Sequence, residues 1–436
     1  MYAAYIGRRL IDLYNEHRRD GPPLSPRDFF DEVVFPVTFD DARYLFWPNN
    51  SPFAQPTYSG KREDPAVRQE ALAETHEKIS DVAQPLGHLF MGGMADGPME
   101  TTSGQVSTVG ASAKPEEAYC SWVGALAGVG LKGGLSMLID HDKVLLALLD
   151  GWFAYRSYLN QTPGLKGNQI ETWNGHWITH RFGYDYHPDD PLRDLTLPTT
   201  KSTGIKTKPW AKVLFALASA LPDTTPTVYL YSLGQTNTTV GFRQLHLSEV
   251  QGLAALHEKL FGDVEGVSSR SLAEMYDTQY SIYKACEQGP IGLRALQPDK
   301  LRDYMPGGKT DKMPKPTRSA NKQNRYRIYQ TWIIAMLNNE DLIDTTEQLA
   351  QALREHAASG EKGRTKAKRR AEQVLEASHR REFLAAITDV LEQDGSRAEL
   401  FNEIADEVVK MPSSDFPLFA TLLRLKYKVF SQHQSA

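Results

Sequence analysis

The sequence predicts an α+β protein, with an irregular mixed N-terminal section and a C-terminal all-helical bundle. Three observations carry that expectation. From Tyr326 onward apolar residues recur at helical spacing and no strand pattern interrupts them. Residues 227–247 hold the clearest β signal, the β-branched and aromatic run Val228–Tyr231. Ahead of it, stretches rich in Pro, Gly, Asn and Ser separate isolated amphipathic segments, which marks a mixed section. A chain of 436 residues has material for two or three domains with real cores. The expected division is a mixed α/β section over 1–293, a linker over 294–325 and a helical bundle over 326–436.

Taken in order, residues 3–19 place Ile6, Leu10, Ile11, Leu13 and Tyr14 at helical spacing, with Arg8, Arg9, Arg18 and Arg19 among the polar positions. Gly21-Pro22-Pro23 stops that helix. Ser25 then offers an N-cap and Pro26 a first helical position for a short helix through Val33. The region up to about Lys114 holds one helical island, near Pro65–Val82, and its runs Phe90–Met94 and Thr101–Ser112 read as loops or short strands. Between Tyr119 and His187 the glycines Gly124, Gly128, Gly130, Gly133 and Gly134 punctuate small and apolar residues, so close backbone approaches are expected there. A helix from about His141 to Tyr158 has Leu145, Leu146, Leu148, Leu149 and Trp152 as its apolar face. Trp173–His176 reads as a flexible turn bearing aromatic faces.

Val228–Tyr231 is expected to be a buried strand and Val240–Leu247 its looser return. In the rear third, Asp344 with Glu347 and Ser396 with Glu399 have capping-box spacing. Leu349, Leu353, Val374, Phe383, Ile387, Val390, Leu400, Ile404 and Val408 supply stripes of the kind that fill bundle cores. Pro412 and Pro417 bracket the turn into a final helix through Phe430.

Composition narrows the class. Apolar and charged fractions of 41% and 24% are those of ordinary globular proteins. No apolar run has the length of a membrane helix, and the N-terminus lacks a signal-peptide pattern. With only Cys120 and Cys286, neither a disulfide framework nor a cysteine zinc site is expected. The chain reads as cytoplasmic. Its net charge of −5 conceals a strong asymmetry. Residues 294–327 hold ten Lys/Arg against three Asp, and residues 362–370 hold six Lys/Arg and no acid.

These concentrations point to a surface that meets phosphate, through Lys309, Lys312, Lys315, Arg318, Lys322 and Arg325 in one cluster and Lys362, Lys366, Arg369 and Arg370 in the other. Solvated charge is the plainer alternative. Between the two strands lies Gly234-Gln235-Thr236-Asn237-Thr238-Thr239, longer than a minimal hairpin loop. The amides of Gln235 and Asn237 suit a base edge, Thr236 and Thr238 suit phosphate or a thymine methyl, and Arg243 suits a phosphate. A polar hairpin is the competing reading. Nine aromatics lie between Trp152 and Tyr186, interleaved with Lys, Arg, Asn and Gly. Lys166, Asn168, Trp173 and Asn174 are therefore candidates for tracking phosphates and stacking bases, against the alternative of an aromatic core.

Enzyme motifs are thin. Gly307-Gly308-Lys309-Thr310 imitates the end of a P-loop, but Asp303 stands where the earlier glycine belongs and no apolar strand precedes it. His141-Asp142 is an HD pair at a helix start, which with His88 or Asp150 would suit a metal-dependent phosphohydrolase. An Asp at a helix start also has a dipole reason to be there.

The glycine- and aromatic-rich front section, the basic linker and the rear bundle together resemble the large subunit of type I CRISPR effector complexes (Cascade). The stretches TWNGHW, Thr172–Trp177, and YSLGQTNTTVGF, Tyr231–Phe242, share that likeness. The resemblance implies a non-catalytic protein without cofactor or metal. Its front section would recognise the protospacer-adjacent motif in target double-stranded DNA, and its bundle, akin to the small subunit, would line the displaced strand. Its partners would be the guide RNA with the backbone subunits, and a helicase-nuclease or transposition factor. Because guide pairing reads most of the sequence, such a protein needs a short duplex contact and a positive channel. An HD-type phosphohydrolase, an RNA-binding or RNA-modifying protein outside CRISPR, and a structural scaffold are the other readings.

Overall fold

The structure, a computed structural model, describes residues 2–47, 51–80, 114–233, 239–264, 266–308, 319–359, 364–392 and 397–433. It is mixed α+β, with one small antiparallel sheet, many helices and a helical C-terminal region. The chain divides into two compact units, one of residues 1–248 with 281–291 and one of 249–280 with 292–436.

The first unit opens with α1 (Tyr2–His17), whose buried face is Ala3, Ala4, Ile6, Gly7, Leu10, Ile11 and Leu13. Ser25 then caps α2 (Pro26–Phe29) in a reciprocal capping box with Asp28. The helical run does not stop at Val33 as its length suggested. It continues through a π turn, Phe30–Val34, into α3 (Phe35–Thr38). Pro36 has no N–H to give the preceding turn, and the ladder adapts by pairing the Phe35 N–H with Phe30 O. After α4 (Pro56–Ser59) and α5 (Pro65–Ser80), α6 (Pro115–Leu126) returns to lie against α1. Phe90–Met94 and Thr101–Ser112 fall outside the described residues. Trp122 of α6 has no exposed surface and meets the rings of Phe30, Phe39 and Phe53 at 5.5, 5.9 and 6.3 Å.

The sheet has the order β1 (Val129–Leu131), β2 (Leu135–Ile139), β3 (Thr227–Ser232), β4 (Thr239–Gln244), antiparallel throughout. Gly133 and Gly134, at φ 115° and 84°, make the β1–β2 turn that a side chain would strain. Strand β3 is buried as its composition demanded, with Val228 and Leu230 at 0% exposure. Strand β4 is largely exposed, and a bulge between Leu230 and Tyr231 shifts its register. Around the sheet stand α7 (Asp142–Gln161), α8 (Ile170–Arg181) and α9 (Trp210–Ala220).

The second unit begins with most of α10 (Leu247–Phe261) and α11 (Ser269–Met275), whereas α12 (Ile282–Glu287) belongs to the first. The rest is α13 (Ala320–Leu337), α14 (Leu342–Ala358), α15 (Arg364–Glu376), α16 (Arg380–Leu391), α17 (Ala398–Lys410) and α18 (Phe416–His433). The expected stripe residues are buried, with Leu400 half-buried. Two boundaries differ from expectation. The helical unit takes in residues 249–280, and residues 294–304 are packed short turns with Leu296 and Leu301 buried, so the expected linker begins as structure. Helix α14 starts at Leu342 after Asp341, which puts Asp344 inside the first turn, where its charge suits the helix dipole. Ser396 lies outside the described residues.

The α1–α6 crossing works because it is made of glycine. A Cβ on Gly7 would stand 1.8 Å from Cys120 O, and one on Gly124 would stand 1.9 Å from Ala3 O. Gly124→Ala is expected to cost about 1–3 kcal/mol, the usual penalty for overpacking. Gly252→Ala, exposed in mid-α10 with nothing near its Cβ position, is expected to stabilise by up to about 1 kcal/mol. Denaturant unfolding of both variants beside the parent chain checks the opposite signs.

Candidate nucleic-acid interface

The expected surface residues fall into three groups. Lys309, Lys312, Lys315, Arg318 and Lys362 lie outside the described residues, as do Gln235, Thr236, Asn237 and Thr238 between β3 and β4. Where the chain is described on either side, Leu233 N–H donates to Gly134 O at 2.8 Å and Thr239 is exposed. Arg243 on β4 is half-buried and partly engaged. Its Nη1 donates to Phe242 O at 2.7 Å and its Nε to Cys286 O at 3.3 Å.

A second group is exposed. Lys166 and Asn168 sit on the loop between α7 and α8. Asn168 holds a left-handed conformation, φ 56°, and its N–H donates to Tyr44 O at 2.6 Å. Lys322 and Arg325 are exposed on the first turns of α13. On α15, Lys366 and Arg369 are exposed and Arg370 is half-exposed, while Ala367, Ala371 and Val374 are buried. The helix thus holds itself in its unit by small apolar residues and turns cations outward. Neighbouring Lys368 pairs with Glu372 at 3.8 Å, but Lys366, Arg369 and Arg370 form no ion pair among the described residues.

The third group overturns an expectation. Trp173 and Asn174 have no exposed surface, so neither stacks on a base nor reads one. The stretch Thr172–Trp177 is not a turn. It is the middle of α8, pressed against β1 and α7. Trp173 Nε1 donates to Gly151 O at 2.8 Å and Trp177 Nε1 to Ala147 O at 2.6 Å, so both indoles are satisfied by backbone of α7. The Trp173 ring stacks on Tyr155 at 4.7 Å. Asn174 Nδ2 donates to Leu126 O and Gly128 O, each at 2.8 Å. The donors at these positions serve buried carbonyls, while Asn174 Oδ1 is buried without a partner among the described residues.

Two further polar groups of α8, half-buried Glu171 and buried His176, are engaged within the unit. Glu171 accepts the Tyr231 hydroxyl from β3 at 2.5 Å, and burial raises the carboxyl above the usual range. A Cβ on Gly128 would lie 2.3 Å from that hydroxyl and 2.7 Å from Glu171 Oε1, so glycine makes the room. His176 is 3% exposed, and its Nε2 donates to Lys206 O at 2.7 Å. Burial brings its pKa down from 6.5 to about 4, against the pull of the Lys206 carbonyl.

The HD pair has local tasks. His141 Nδ1 accepts the Lys143 N–H at 3.2 Å as the cap of α7, and Asp142 pairs with Arg9. Among the described residues no group of three or more His, Cys, Asp or Glu is placed to hold a metal. Among them, too, no helix is long and apolar enough to cross a membrane.

The His176 shift has a sign that can be measured. Its folded pKa lies below its unfolded value, so its contribution is whole above about pH 6.5 and is lost as pH falls toward about 4. His176→Gln is expected to flatten the pH dependence of unfolding free energy in that window by up to about 1.4 kcal/mol per pH unit. Denaturant titrations of both proteins between those two pH values check it; parallel slopes would contradict it.

Compared with known proteins, the chain matches no family model, no curated protein and no solved structure.

Proposed function

We propose that this chain is a non-catalytic nucleic-acid-binding subunit, the large subunit of a type I CRISPR effector complex. The observation that carries the reading is α15, with Lys366 and Arg369 exposed and Arg370 half-exposed, none in an ion pair among the described residues, and Ala367, Ala371 and Val374 buried. A cationic helix face attracts phosphate and gives up counterions on binding, and the acids of α15, Glu372 and Glu376, lie in its second half, with Glu372 paired to Lys368. Lys322 and Arg325 on α13 add exposed cations within the same unit. In this reading the helical unit follows the displaced strand. The Gln235–Thr238 stretch reads the adjacent motif, and guide RNA on companion subunits supplies the rest of the specificity. Cutting or transposition falls to a separate protein, and the site of action is the cytoplasm.

Expression of the chain with its companion subunits tests the whole reading. Co-elution with a discrete small RNA is expected; metal-dependent phosphatase activity of the isolated chain would instead favour the HD reading. Changing Lys366, Arg369 and Arg370 together to Ala is expected to weaken DNA binding alike for every sequence. It should also reduce the slope of log affinity against log salt by about 2–3, near 0.7–0.9 per phosphate contact. An unchanged slope would mean that the face is only solvated. Asn237→Ala is expected to cost about 1–3 kcal/mol for a duplex with the preferred adjacent motif and almost nothing for one without it. Equal losses on both duplexes would remove this stretch as the reader.

A further inference from the structure

We infer that the first unit carries a phosphate-binding edge of its own, assembled from residues 129–134, 162–170 and 198–208, that grips the backbone of duplex nucleic acid. The inference rests on the proposed nucleic-acid function and adds to it a separate place on the first unit that meets the duplex backbone. Sequence composition is the first support. The three stretches together contain Lys132, Lys166, Lys201, Lys206 and Lys208 and not one Asp or Glu. In a chain of net charge −5, such segments are unusual only if they meet in space.

They do meet. Thr199 and Ile205 bridge as a miniature hairpin, closed by Thr200 N–H to Gly204 O at 2.7 Å and Gly204 N–H to Thr200 Oγ1 at 3.0 Å. Its tip, Lys201, Ser202 and Thr203, is exposed. Lys166 N–H donates to Thr203 O at 3.3 Å, which seats the α7–α8 loop against that tip. Gln169 fastens the pair from below: its Nε2 donates to Lys166 O at 2.7 Å and its Oε1 accepts the Ile205 N–H at 2.5 Å. Past Lys206 the chain reaches β1, where Leu131 bridges Lys208 and the Lys132 N–H donates to Lys208 O at 2.8 Å. His176 fixes the Lys206 carbonyl from α8. The backbone of this edge is therefore pinned, and the side chains of Lys132, Lys166, Lys201 and Lys206 are exposed with no carboxylate partner among the described residues.

The form of the partner follows from what else is absent. None of the exposed large apolar side chains among the described residues belongs to these three stretches, and nearby Trp173 and Trp177 are buried. Single-strand surfaces combine cations with exposed aromatic faces, whereas a duplex stacks its base faces inward and leads with its phosphates. Asn168, Ser202 and Thr203 are exposed neutral groups of the kind that accompany Lys at phosphates. Glu171, the acid nearest in sequence to the α7–α8 loop, accepts the Tyr231 hydroxyl and pairs with none of these lysines among the described residues.

The test uses the full chain with Lys132, Lys201 and Lys206 changed together to Gln, and a second variant with the same three changed to Arg. Binding to two unrelated short DNA duplexes and to a single strand is measured across a salt series, with melting temperature as the check on folding. The Gln variant is expected to melt as the parent does and to lose about 2–3 from the salt slope on both duplexes, near 0.9 per phosphate. The Arg variant should keep the slope. An unchanged slope in the Gln variant, beside a loss on changing Lys366, Arg369 and Arg370, overturns this edge and leaves the proposed function standing. A parent chain that binds no duplex overturns both. Loss confined to the single strand overturns the duplex assignment. Polyglutamate that binds as well as duplex and loses as much in the Gln variant assigns the edge to an acidic protein instead.

Discussion

The first unit depends on how closely α8 can approach its neighbours. A Cβ on Gly175 would stand 2.5 Å from Gly130 O, and one on Gly151 would stand 2.4 Å from Trp177 Cδ1. Helix and strand therefore touch backbone to backbone on one side, and indole to backbone on the other. Everything polar on α8 follows from that intimacy. At such close approach the buried carbonyls of the α6–β1 turn and of α7 need protein donors, and α8 supplies several of them. Asn174, Trp173 and Trp177 are those donors. The same helix reaches β3 through Glu171 and the hairpin strand through His176. One close-packed helix thus fixes the sheet, α7 and the cationic edge together.

The architecture was legible where a single period governs a stretch. Val374, Phe383, Ile387, Ile404 and Val408 recur at helical spacing because one face of each helix is apolar, and burial follows the stripe. Strand β3 was legible for the same kind of reason, since four consecutive β-branched, aromatic and aliphatic residues suit a strand buried on both faces. What failed to show was anything decided by partners distant in sequence. Trp-Asn-Gly-His has the composition of an exposed, flexible turn, and only Gly130, contributed some 45 residues earlier, makes it the inside of a helix. Pro36 signals a helix end, yet one wider turn absorbs it. The unit boundary was hidden likewise, because residues 249–280 join the helices after 292 through tertiary pairs such as His257 with Thr331 Oγ1 at 2.9 Å.

Charge was legible as concentration and illegible as availability. A count treats Arg156, Arg424 and Lys426 like any other cation. Arg156 is spent on Val37 O and Asp41, Arg424 on Leu375 O and Ala377 O at the C-terminal end of α15, and Lys426 on Glu347 at 2.6 Å. Each is a structural clamp, with its charge satisfied by carbonyls or a carboxylate close to the protein. Lys366 and Arg369 differ only in facing outward from a helix whose inward positions are alanine and valine. The α7–α8 edge shows the converse: its lysines are scattered over 75 residues of sequence, so no window of the chain looks basic enough to notice.

This sorting bears on how a protein with an acidic balance can hold a polyanion. Mean charge sets long-range repulsion, but within about a Debye length, some 8–10 Å at ordinary salt, the local set of unpaired charges decides. A stretch without acids on a pinned backbone presents its lysines at low reorganisation cost, because the framework is already ordered before the partner arrives. Some acids, such as Asp140 and Asp142 against Arg9 and Asp41 against Arg156, are paired with cations within the fold. Net charge therefore says little about any one local patch of cations. Discrimination between sequences has to come from elsewhere, since contacts of this kind weigh every duplex alike. The amide-bearing segment between β3 and β4 and a paired guide strand are the two sources this chain's proposed role provides.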